Sequence, residues 1–129
     1  MVEIQNNAYF WQKLTTLLMS SDLVITNKQG STHSQYPNLI YPTDYGYICD
    51  TNVDSGPVVK AFKGTNSSYS VKDVIVSVDI LKRDIDVKLL LGCTDEEIEN
   101  VLLFLNQTDF QKTILVSKGD EIPNWAESN

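Results

Sequence analysis

The 129-residue chain is 42% hydrophobic and 21% charged, with a formal net charge of −7 and a pI near 4.5. Length and composition define one domain around a single core and exclude global disorder. The acidic balance excludes a nucleic-acid-binding face, which needs clustered lysine and arginine to displace counterions from phosphates.

Phe10, Leu14, Leu17 and Leu18 recur at i, i+4, i+7 and i+8, the stripe of an amphipathic helix capped by Asn6 or Asn7 and ended at Ser20-Ser21. Phe10 and Trp11 are expected to pack this helix on the rest of the domain. A short strand follows at 23–25, then a loop rich in Gly, Ser, Asn and Pro at 27–38 that carries His33 as a surface residue. Strand signal returns at 39–41, 45–48 and 58–62. Tyr41, Tyr45 and Tyr47 fall at alternate positions and share one face. After a polar loop at 65–70, the β-branched run 74–81 is the strongest strand. It forms a hairpin with 87–91 through the charged turn 82–86, whose acidic tip is expected in water.

Thr94-Asp95-Glu96-Glu97 is a capping box, with Cys93 and Ile98 at the staple positions and Val101, Leu102 and Leu105 as the apolar face of the helix it opens. A last strand at 113–116 precedes a polar tail in which Trp125 offers an anchor. Many short strands between two helices, without βαβ alternation, predict an α+β, mainly β fold: a small antiparallel, OB-like barrel with an N-terminal helix and one helix near the C-terminus. The expected divisions are 1–21 for the helix, 22–117 for the barrel domain and 118–129 for the tail.

Cys49 and Cys93 are far apart and His33 is the only histidine, so no zinc set is present and reduced thiols are expected. No basic leader followed by an apolar run is read at the start, and no stretch approaches the ~20 apolar residues of a membrane span. A cytoplasmic location follows as an expectation, with no membrane partner.

The segment Tyr41-Pro42-Thr43-Asp44-Tyr45-Gly46-Tyr47-Ile48 is too specific to be strand filler. Together with Tyr36-Pro37, the run Val78-Asp79-Ile80-Leu81-Lys82-Arg83-Asp84 and the run Leu91-Gly92-Cys93-Thr94-Asp95-Glu96-Glu97-Ile98, it resembles the soluble (family I) inorganic pyrophosphatases. Within that family the similarity is greatest to short bacterial pyrophosphatase-like proteins, and it covers residues 23–116. The resemblance implies a pyrophosphatase-type barrel and a site in which magnesium, held by carboxylates, neutralises a phosphoanhydride and activates water.

Carried across by residue, the resemblance implies Asp54, Asp84 and Asp86 as metal ligands, with Asp54 and Asp86 serving catalysis if the protein is active. Tyr45 and Lys88 would contact substrate, and Lys28 stands one position from a phosphate-binding lysine. Two loop aspartates of the pattern are replaced by Gly56 and Val59, and its arginine by Asn27. A lysine replaces an arginine's bidentate phosphate contacts only as a point charge. The resemblance therefore implies an eroded catalytic site: a non-catalytic or very weakly active protein that binds a small anionic ligand or a protein partner, with magnesium held weakly. The alternative is a magnesium-dependent inorganic pyrophosphatase or related phosphoanhydride hydrolase. A third reading puts the function in an interaction made by the N-terminal helix, and homo-oligomerisation is open. Asp84, Asp86 and Lys88 read equally well as the solvated tip of a hairpin.

Overall fold

The computed structural model describes residues 6–49, 58–67 and 70–119 of the chain. Two helices and six strands follow one another in the order α1 (Ala8–Met19), β1 (Leu23–Asn27), β2 (Asp44–Ile48), β3 (Lys60–Lys63), β4 (Val71–Asp79), β5 (Asp84–Leu91), α2 (Asp95–Leu105) and β6 (Gln111–Ser117). The strands form one sheet in the order β1-β2-β3-β5-β4-β6. All neighbours are antiparallel except β3 and β5, which pair in parallel through Lys60–Lys88 to Lys63–Leu91.

Two features of the expected barrel are thereby corrected. The sheet is mixed rather than antiparallel, and it is open. The chain skips from β3 to β4 and returns with β5 in the gap, which leaves β1 and β6 as opposite edges. An open sheet must cover both faces, and here each face has its own helix. Trp11, Leu14 and Leu18 of α1 pack against Ile48, Ala61, Val74 and Leu89. On the other face Val101, Phe104 and Leu105 of α2 pack against Phe62, Ile75 and Leu90.

Local chemistry sets the element ends. Asn7 caps α1 by accepting from the Tyr9 amide at 3.0 Å. Asn6 latches the same end to β6, donating to the Ser117 carbonyl at 2.7 Å and accepting from the Trp11 indole and the Gly119 amide. Trp11 is buried as expected, but Phe10 stays exposed and meets Trp11 only edge-on. The capping box of α2 is complete, with Thr94 and Glu97 each accepting from the other's amide. At the far end Asn106 ties α2 to β6 through the Thr113 amide and carbonyl.

Several strand boundaries differ from expectation, among them the start of β4 at Val71 and of β5 at Asp84. The segment 39–41 contributes only an isolated bridge between Thr32 and Ile40. The third strand begins at Lys60 rather than residue 58. Asp79 ends β4 early, because its Oδ1 accepts from the Leu81 and Lys82 amides, both at 2.9 Å. The turn closes with Arg83 in the left-handed region, at φ 57°. Asp84 consequently opens β5 directly after the turn and stays exposed, while Asp86 lies inside the strand and is half-buried.

Period-2 alternation then gives the β4–β5 hairpin two unlike faces. Asp84, Asp86 and Lys88 share the α2 side with Leu90, whereas Ile85, Val87, Val76 and Val78 share the α1 side with Leu89. Helix α1 does not reach the hairpin's end, so Ile85 is 70% and Ile114 63% exposed. Among the described residues no helix is long and apolar enough to cross a membrane. Asp54, Gly56 and Trp125 lie outside the described residues.

Candidate functional site

A cleft of about 370 Å³ opens on the α2 side of the sheet. Tyr45, Asp84, Asp86 and Lys88, four residues singled out from the sequence, line it together. Lys28 is not part of this lining. It sits in the exposed turn after β1, where its carbonyl accepts from the Ser31 amide and hydroxyl.

Strand register explains the grouping. Asp84, Asp86 and Lys88 are alternate residues of β5 and project to one face. Across the parallel pairing Lys60 is the partner of Lys88, and across the antiparallel pairing Asp79 is the partner of Asp84. Lys60, Asp79 and Lys82 therefore join the same wall. The sequence reading missed all three as site residues. Parity carried the signal for Lys60, which stands two residues before the buried Phe62.

Lys88 Nζ lies 2.5 Å from Asp86 Oδ2, with Lys88 only 13% exposed and Asp86 40%. This is the one salt bridge among the described residues. Asp79 is buried and spends one oxygen on two backbone amides of its turn. Lys60 and Lys82 are exposed at the mouth, as is Asp84. Burial raises the Tyr45 hydroxyl well above the usual phenol range, with the neighbouring Tyr41 and Asp86 adding to the effect. Tyr45 is thus a neutral hydroxyl at any physiological pH. Burial also lowers His33, and the Lys82 charge adds to it. The His33 Nδ1 accepts from the Gln35 amide at 3.1 Å, consistent with a neutral ring.

Aromatic rings form much of the rest of the wall. Tyr45 stacks on Tyr41 with centroids 5.5 Å apart and tilts against Phe62 at 4.7 Å. Tyr41 contacts Phe104 of α2 at 5.0 Å and lies parallel to His33 at 6.1 Å. Tyr41 and Tyr45 both pack on the α2 side, but Tyr41 precedes β2, and Tyr47, expected on the same face, is not among the lining residues. His33, read from sequence as a surface residue, is half-buried in the cleft lining.

A magnesium site needs several oxygen donors that converge in octahedral geometry. Among the described residues no group of three or more His, Cys, Asp or Glu side chains is placed to hold a metal ion. Asp86 faces a lysine and Asp79 faces amides, so the described donor set does not fit the ion. What remains is a cleft lined by three lysines, Lys60, Lys82 and Lys88, and three aspartates, Asp79, Asp84 and Asp86, beside an aromatic floor. The chain matches no family model, no curated protein and no solved structure.

Proposed function

We propose that this domain binds a small multivalent anion of the phosphate or pyrophosphate kind in the α2-side cleft, without turning it over at an enzymic rate. The observation that carries the reading is the Lys88–Asp86 pair beside Lys60. Two lysines on paired strand positions form a positive site, and Asp86 is a counter-ion that an anion could displace from Lys88. The register that groups Tyr45, Asp84, Asp86 and Lys88 also supports kinship with the pyrophosphatase-type sheet, here opened rather than closed. Replacement of two loop aspartates by Gly56 and Val59 removes ligands that would acidify a metal-bound water. Catalytic groups of such a site act as a unit, so missing ligands cost nearly the whole rate.

The two charged partners respond in opposite directions to substitution. Asp86→Asn releases the Lys88 ammonium and tightens pyrophosphate binding several-fold at low salt. Lys88→Ala weakens it by about tenfold or more, the loss of one charge-assisted contact. Calorimetric titration with pyrophosphate, with and without magnesium, measures both. Phosphate release from the same samples stays at background. Turnover of ~1–10³ per second that Asp86→Asn abolishes would instead establish a magnesium-dependent diphosphatase. The specific observation in favour of that second reading is that Asp84 and Asp86 share one strand face beside Asp79.

A further inference from the structure

The cleft is longer than a bare inorganic anion requires, and its far end has a different chemistry. At one end Lys60 and Lys88 stand paired across β3 and β5. At the other end Tyr36, from the loop between β1 and β2, meets Phe110, from the connection between α2 and β6, with centroids 5.9 Å apart. His33 approaches Tyr36 at 5.2 Å. Tyr36 is 38% exposed, and neither it nor Phe110 belongs to the buried clusters of the core. Two connections far apart in sequence thus bring together two rings that are each partly exposed at the cleft. Tyr41 and Tyr45 continue the aromatic surface from there to the lysines.

We propose that the ligand of this cleft is an aromatic anion: a planar ring seated against Tyr36 and Phe110, joined to a phosphate-type head at Lys60 and Lys88. The inference rests on the anion reading given above and narrows it. The volume of about 370 Å³ falls within the ~300–1,000 Å³ of sites that enclose organic ligands. Flat rings are recognised by stacking on aromatic side chains, which tolerates a range of ring types. Lys82, in the β4–β5 turn, adds positive charge to the same lining. No hydrolytic step is part of the inference, so nothing is asked of Asp84 or Asp86 beyond their positions.

Calorimetry with phenyl phosphate and with inorganic phosphate tests the inference on the full chain. Phenyl phosphate should bind at least tenfold tighter than phosphate. Tyr36→Ala and Phe110→Ala should each bring phenyl phosphate down towards the phosphate value, and Lys60→Ala should weaken both ligands. Tyr36, partly exposed and outside the core, gives the variant least able to disturb folding, and far-UV circular dichroism verifies it. Equal affinities for the two probes would overturn the ring inference and leave the anion reading standing. Failure of both probes to bind would remove the anion reading as well. Tighter binding of phenyltrimethylammonium than of phenyl phosphate would overturn the inference in favour of a cation held by the rings and carboxylates.

Discussion

A side chain at position 46 has nowhere to go. A Cβ on Gly46 would overlap the Val24 carbonyl oxygen and stand 2.9 Å from the Ile25 Cα, both backbone atoms of β1. The glycine of Tyr45-Gly46-Tyr47 is explained by this approach: Tyr45 packs on the α2 side while Gly46 lets β1 lie against β2. Gly46→Ala should destabilise the fold by about 3 kcal/mol or more, because backbone rather than a flexible side chain must move. Urea denaturation followed by tryptophan fluorescence measures it. Glu97 works in the opposite way, by joining elements. Its carboxylate accepts from the Thr94 amide at 2.8 Å and from the Thr65 amide and hydroxyl, so it caps α2 and anchors the loop after β3. Burial raises its pKa, but these hydrogen bonds outweigh burial and the net displacement is below the ordinary value of 4.5. A carboxyl depressed on folding contributes its full stability above its unfolded pKa and loses it as the pH falls through the folded one. Glu97→Ala should therefore cost about 1 kcal/mol at pH 7, and the gap to the wild type should close in acid below pH 4.5. Parallel denaturation curves at pH 7 and in acid test the sign. The capping half of this arrangement was legible in Thr94-Asp95-Glu96-Glu97. The bond to Thr65 was not, because it joins residues 32 apart.

Hairpin β4–β5 shows where reading by pattern succeeds and where it stops. Dense β-branching at 74–81 marks the strand, but the pattern starts it three residues late, ends it two residues late and starts β5 three residues late. Carboxylates have poor strand propensity, so Asp84 and Asp86 look like turn residues until pairing overrides them. The override originates in Asp79, whose side chain substitutes for a further ladder bond and tightens the reversal. Arg83 accepts a left-handed backbone in consequence, at φ 57°, a conformation that costs a residue with a Cβ roughly 1–2 kcal/mol. Arg83→Gly relieves that strain and loses some of the gain to the greater freedom of the unfolded chain. A net stabilisation of up to about 1 kcal/mol is expected, read as a rise in the thermal midpoint. The candidate site depended on the same detail. Only with the turn closed at Arg83 do Asp84, Asp86 and Lys88 fall on consecutive positions of one strand face, within reach of Lys60 and Tyr45.

At the scale of the whole molecule, the elements were legible and their arrangement was not. Local signals reveal caps, periods and turns, whereas the order β1-β2-β3-β5-β4-β6 depends on which strands meet after the chain collapses. The parallel pairing of β3 with β5 leaves no mark on either strand's own sequence. That pairing also has a mechanical meaning. Strands β1, β2 and β3 form one antiparallel ribbon and β5, β4 and β6 another, and four residue pairs of parallel ladder join the two among the described residues. Parallel ladders are slightly weaker per residue than antiparallel ones. The cleft straddles this join, with Tyr45 and Lys60 on one ribbon and Asp86 and Lys88 on the other. A ligand held by both lysines would act as a rivet, opposing sliding of one ribbon along the other. Saturation at ~100 Kd stabilises a folded state by about 2.7 kcal/mol, close to a hundredfold slowing of openings that release the ligand. Amide hydrogen exchange with pyrophosphate added should accordingly slow most at Phe62 and Leu90, inside the join, and least along β6, which lies two strands away.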